Sequence, residues 1–203
     1  MLDQIAFTLM LARDIRPTTL HRFKQGNDMK ELKSILIFSI IILAGCATDY
    51  GKQDSSSVAS AVEILSSDFD KGTTYVGPKI LNSHLLSSES IRLARKIGSG
   101  EGSSETILVV DFMNTGGGWD FYQSVSFLGG DLKELYDVHR KVLGCTSAAC
   151  THLEETILIL PHGYIESKAS SGFDIRYNSR NSGGKVISIP ANYIQGFLAA
   201  VPD

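Results

Sequence analysis

Short runs of β-branched and aromatic residues, most of them closed by glycine or proline, constrain this chain more than any other feature. Thr106-Ile107-Leu108-Val109-Val110-Asp111-Phe112 is apolar enough for a central strand. Residues 90–98 and 119–128 alternate over much of their length, the latter placing Phe121, Gln123, Val125 and Phe127 on one face. Residues 73–76, 135–142 and 155–160 add further strands, stopped at Gly77-Pro78, at Cys145 and at Pro161. Residues 173–177 and 185–189 read as a hairpin around Asn181-Ser182-Gly183-Gly184, and glycine loops fall at 98–104, 114–118 and 129–131. Helical spacing is confined to residues 163–170 and 191–200, the second opened by Pro190 with Ile194, Phe197 and Leu198 turned inward. About seven strands with late helices predict a mainly β fold: an antiparallel, β-sandwich-like sheet with one or two short C-terminal helices.

The first part of the chain has a different character. Met29-Lys30-Glu31-Leu32-Lys33 is mildly basic, and residues 35–44 form a nearly unbroken apolar run. That run falls well short of the roughly 20 residues needed to cross a bilayer, and it suits the hydrophobic part of a signal peptide. It ends in Leu43-Ala44-Gly45-Cys46, which looks like a bacterial lipobox. In lipoproteins of this kind the cysteine sulfur takes a diacylglycerol, the chain is cut before it, and the new amino group is acylated. The resemblance therefore implies lipidation at Cys46, with the covalent diacylglycerol and acyl groups (palmitate among them) as the only attached group and the bilayer as a partner. Ala47 follows the cysteine where an aspartate would retain the protein in the inner membrane. In a Gram-negative host this predicts the periplasmic face of the outer membrane. Residues 1–28 carry Asp3, Asp14 and Asp28 ahead of the signal and read as a start-site extension before Met29, or alternatively as a small amphipathic leader.

Four segments follow from this reading: the extension at 1–28, the signal peptide at 29–45, a lipidated serine-rich tether at 46–72 and a periplasmic β-rich domain at 73–203. Val58, Ala61, Val62 and Leu65 lie at helical spacing inside the tether, so a short helix is the competing reading there. The 158 residues from Cys46 onward hold 13 Lys+Arg (19 minus 6) and 18 Asp+Glu (22 minus 4), a net charge of −5. An acidic body without a basic stripe argues against nucleic acid and against electrostatic adhesion to anionic headgroups.

Beyond Cys46 two cysteines remain, Cys145 and Cys150, with Thr146-Ser147-Ala148-Ala149 between them. In an oxidising compartment so close a pair predicts a disulfide. A metal site using both thiols with His139, His152 or His162 is the competing reading, although the histidines lack paired spacing. Trp119, Asp120 and Tyr122 are candidate ligand contacts, because an aromatic cluster can stack a sugar or a peptide. Aromatics at strand spacing serve a core equally well. Asp111 and Asp120 offer two carboxylates for acid–base hydrolysis, whereas carboxylates at strand ends are usually solvated. His139-Arg140-Lys141 reads as a charged edge strand. Gly116-Gly117-Gly118 lacks the lysine and the helix of a phosphate loop, and no Gly-x-Ser-x-Gly elbow is present. No catalytic residue and no metal ligand is assigned.

Residues 73–200 resemble a group of uncharacterised proteobacterial lipoproteins. The shared features are Asp120-Phe121-Tyr122, Gly129-Gly130, Arg140, Cys145 with Cys150, the β-run into Pro161, and the ending Ile187-Ser188-Ile189-Pro190-Ala191-Asn192-Tyr193-Ile194. The resemblance implies the lipidated cysteine and the cysteine pair, and no activity. The function expected is a non-catalytic binding or structural module of the cell envelope, meeting an envelope protein or polymer. The alternatives are a small periplasmic hydrolase or a metal-binding protein.

Overall fold

Alternation along the predicted runs becomes two antiparallel sheets facing one another across a single core. The computed structural model describes residues 48–66, 72–98, 104–181 and 183–202. Cys46, the signal peptide expected at 29–45, the extension expected at 1–28 and most of the loop expected at 98–104 lie outside these residues. The strands are β1 (Glu63–Ser66), β2 (Gly72–Val76), β3 (Ile80–Ser83), β4 (Ser87–Gly98), β5 (Ser104–Thr115), β6 (Tyr122–Phe127), β7 (Leu132–Glu134), β8 (Asp137–Cys145), β9 (Cys150–Ile159), β10 (Phe173–Ser179) and β11 (Lys185–Ile189). A 3-10 turn spans Tyr50–Lys52, and the helices are α1 (Ser55–Ser60), α2 (Tyr164–Ser167) and α3 (Ala191–Ala200).

The larger sheet runs β1-β2-β4-β5-β9-β8, with β3 sharing β4 beside β2; the smaller runs β11-β10-β6-β7. This is the sandwich-like antiparallel architecture the sequence predicts, with its last helix at the C-terminus. β5 is central and apolar on both faces. Leu108, Val110 and Phe112 join the core, while Ile107 and Val109 on the other face are buried as well. Opposite β5's core face stand Tyr122 and Val125 of β6, Ile175 and Tyr177 of β10, and Ile187 and Ile189 of β11. β8 is the far edge of the larger sheet and carries His139, Arg140 and Lys141, so the charged-edge reading holds.

α3 closes the core from one side. Pro190 supplies the preset backbone angle at its entry, and Tyr193, Ile194 and Phe197 are fully buried. The Tyr193 hydroxyl accepts from the Leu93 N–H at 3.2 Å and donates to the Pro78 carbonyl at 2.7 Å, joining helix to sheet. Burial pushes the phenol's pKa well above its usual value, so the hydroxyl keeps its proton.

The flexible tether expected at 46–72 is corrected by the structure. Residues 50–66 form the 3-10 turn, α1 and β1, and β1 pairs with β2 from Glu63↔Val76 to Ser66↔Thr73. Val58 is completely buried because α1 seats against α3 where Gly196 has no side chain. A Cβ on Gly196 would stand 2.4 Å from the Ser55 carbonyl oxygen and 2.6 Å from Val58 Cβ. The short-helix alternative is the better description. Asp54 caps α1 through the Ser57 N–H at 2.7 Å.

Asp49 ties this opening segment to the sheet. Its Oδ1 accepts from the Gly51 and Leu81 N–H groups, both at 3.1 Å. Burial works to raise the carboxyl's pKa, but those two donors and Lys52 outweigh it and hold it below the ordinary carboxylate range. A depressed folded-state pKa gives stability that is fully present above the unfolded value, about 3.9. That stability is lost as pH falls through the folded value. Asp49→Ala is expected to cost about 1 kcal/mol at pH 7. In urea melts the gap between variant and parent should narrow below pH 4; an unchanged gap at pH 3 would contradict this role.

Candidate functional site

The segment 119–122 is built around one carboxylate. Glu154, on the core-facing side of β9 and only 3% exposed, accepts three backbone N–H bonds. These come from Asp120 at 2.6 Å, Phe121 at 3.0 Å and Tyr122 at 3.3 Å. Arg140, its register partner on β8, donates through Nε at 3.0 Å and neutralises the charge. The guanidinium also lies over the Phe121 ring, 5.0 Å from its centroid. Phe121 has φ +57°, alone among the described non-glycine residues in the left-handed region. A bulky residue resists that conformation by about 1 kcal/mol or more. The three bonds to Glu154 hold it there, and the turn redirects the chain from the larger sheet into β6.

That turn places Asp120 and Tyr122 in a cleft of about 400 Å³ between the two sheets. Phe112 lies stacked on Tyr122 at 4.1 Å, and the Tyr122 hydroxyl donates to Asp120 Oδ2 at 3.3 Å. Across the cleft Glu89 forms an ion pair with Lys185. Asn114 and Met113 of β5 complete the wall. Glu89 is 3% exposed, and a buried carboxylate needs such a partner. The cleft thus combines a hydroxyl, an amide, an ammonium and two carboxylates around an aromatic floor. Those groups can hydrogen-bond a polyhydroxylated or amide-bearing ligand in a fixed orientation.

The candidates read from the sequence are not all gathered there. Asp120 and Tyr122 meet in the cleft. Trp119 turns away and packs its ring edge-on against His152 at 4.7 Å. Asp111 points to the opposite face of β5 from Phe112, in a cross-strand row with Ser90, Glu155 and His139. Asp111 and Asp120 therefore cannot act as a pair on one substrate bond. His139 lies 3.0 Å from Asp137, and His162 lines a separate recess beside the Arg95–Glu166 ion pair. Glu89 and Lys185 were not singled out from the sequence, and Arg140, read there as part of a charged edge and of the resemblance, was not paired with Glu154. Glu89 alone had a visible signal, a charge sharing inward parity with Ile91 and Leu93.

Cys145 and Cys150 are disulfide-bonded and form the last register pair of the β8–β9 hairpin. Their sulfurs are therefore not free to act as metal thiolates, and among the described residues no three His, Cys, Asp or Glu side chains converge on a metal position.

A second cleft of about 670 Å³ lies beside α2 at one end of the smaller sheet. Its wall is the aromatic chain Phe127–Tyr164–Phe173, with ring centroids 5.0 and 5.1 Å apart. Leu128 and Leu132 stand exposed at its rim. Comparisons with protein-family models, curated proteins and solved structures find no match to this chain.

Proposed function

We propose that this chain is a lipid-anchored envelope protein, held to the membrane through Cys46, whose β-sandwich-like body binds an envelope protein or polymer without catalysing a reaction. The observation that carries the binding reading is the cleft around Asp120 and Tyr122. Its polar groups are tied to one another, Glu89 to Lys185 and Tyr122 to Asp120, in an arrangement that orients a ligand. A hydrolase working through Asp111 and Asp120 loses its basis, because β5 separates them.

The anchor is supported by Leu43-Ala44-Gly45-Cys46 at the end of the apolar run. Each acyl methylene buried in the bilayer contributes about 0.8 kcal/mol, so two or three chains hold the protein firmly. Feeding cells an alkyne palmitate is expected to label the parent, and Cys46→Ser to lose both the label and sedimentation with membranes. Continued sedimentation of the serine variant after a carbonate wash would refute the anchor. For the body, pull-down from detergent-solubilised envelopes should return a protein or polymer with the parent and lose it, about tenfold or more, with Asp120→Ala. Equal recovery with both would move binding away from this cleft, and an empty pull-down from the parent would count against the module itself.

A further inference from the structure

Three turns meet at one end of the larger sheet. Pairings Ser87↔Asn114, Thr115↔Thr151 and Cys145↔Cys150 bring the β3–β4 turn, the start of the β5–β6 loop and the β8–β9 turn to the same level. The Thr115 N–H donates to the Leu86 carbonyl at 2.8 Å, and the Gly116 N–H to the Cys150 carbonyl at 3.1 Å. Residues 83–88, 113–119 and 142–151 contain no Asp, Glu, Lys or Arg. With 41 such residues in 203 (19 plus 22), 23 positions would carry about four or five on average. Instead they display Leu85 at 97% exposure and Leu86 at 61%, together with Met113, Val142 and Leu143. Exposed leucines at an uncharged turn are costly in water and favourable at an apolar boundary.

The point where the chain enters the body lies close by. Asp49 is bonded to the Leu81 N–H in β3, and Leu85 follows four residues later, about 13 Å along an extended strand. Covalent geometry limits Cys46 to about 11 Å from Asp49. The 3-10 turn and α1 are packed onto the body, so no slack of tether length separates it from an anchor at Cys46. Exposed Lys141, next to Val142 on β8, borders this end, where a headgroup phosphate would meet it.

We propose that this uncharged end of the larger sheet is a lipid-contact surface. Leu85, beside Leu86 at the rim of the Asp120 cleft, enters the headgroup–acyl boundary of the leaflet that holds the Cys46 acyl chains, and fixes the tilt of the body on it. The inference rests on the anchor reading for its choice of a lipid surface over a protein one.

The test uses the full chain, processed in its host, purified and reconstituted in phosphatidylcholine vesicles with brominated acyl chains. Leu85→Trp is made in a Trp119→Phe background, which removes the single native tryptophan. Its emission is expected to shift to the blue and to fall at least twofold against unbrominated vesicles. Val186→Trp in the same background, on the outer face of β11, should show neither change. If mass spectrometry finds the acyl groups and the Leu85→Trp signal stays unquenched, the surface is overturned and the anchor stands. If no acyl groups are found, the anchor is overturned, and the same protein mixed with brominated vesicles still decides the surface: quenching upholds it and no quenching ends it. A photo-cross-linking residue at position 85, outside the lining of the Asp120 cleft, that gives a discrete protein adduct in cells also overturns it, in favour of a protein partner.

Discussion

Glu154→Ala is expected to lower the melting temperature by about 10 °C. The substitution removes a carboxylate that is almost fully enclosed and leaves the Asp120, Phe121 and Tyr122 N–H groups and the Arg140 guanidinium without their acceptor. Breaking a buried pair of this kind costs about 3–5 kcal/mol. In a domain of this size each kcal/mol lowers the midpoint by about 2–4 °C. Glu154→Gln keeps one acceptor oxygen and loses the charge opposite Arg140, so it should fall between the variant and the parent. Thermal melts followed by circular dichroism rank the three proteins. A Glu154→Ala midpoint within 2 °C of the parent would mean that the turn at Phe121 holds itself. A local signature should accompany the global one: proteolysis ought to reach 119–122 first, because the three N–H bonds that flank the left-handed Phe121 are lost.

Gly196→Leu should release the opening segment from the body. The new Cβ alone would overlap the Ser55 carbonyl and Val58 Cβ, one backbone and one buried, so neither yields as the tip of a flexible side chain would. Overpacking of this kind costs about 1–3 kcal/mol, and here the cheapest escape is detachment of α1. Limited proteolysis is expected to cut within 48–60 in the variant while the rest of the body resists, and urea melts should lose about 3 kcal/mol or become biphasic. Resistance of that stretch equal to the parent's would show that α3 moves instead. The distinction matters because the seat of α1 on α3 is what joins the opening segment to the end of the body.

The sheet was legible in the sequence where alternation was long. β5 and β9 fall on apolar runs buried on both faces, β10 and β11 on runs whose alternation reflects one buried face, and α3 on its Pro190-led segment; β6 lies within its run but buries Tyr122 with Val125 in place of the predicted Phe121 and Gln123. α1 was obscured for a physical reason. A six-residue helix with one buried side chain among serines has little intrinsic stability, and it forms because Gly196 offers a seat almost 140 positions away. β1 and β3 are four residues each, too short for alternation to register.

The candidate site shows the same division. Asp111 faces away from Phe112, a parity that β5 itself discloses once it is taken as a strand, whereas Asp120 follows a glycine loop whose course no alternation gives. Arg140 and Glu154 are 14 positions apart and opposite one another, a pairing fixed only by where the β8–β9 hairpin turns. The disulfide at Cys145 and Cys150 marked that turning point in the sequence. The ion pair of Glu89 with Lys185 joins different sheets, and no local pattern announces it.

Because Val58 near the start of the body seats on Gly196 near its end, folding cannot finish on a partial chain. A growing polypeptide that stops before Ala191 lacks the core residues Tyr193, Ile194 and Phe197 and the bond of the Tyr193 hydroxyl to the Leu93 N–H. Completion is thereby postponed until the C-terminal residues arrive, so that the first and last described segments of the body are locked in the same step.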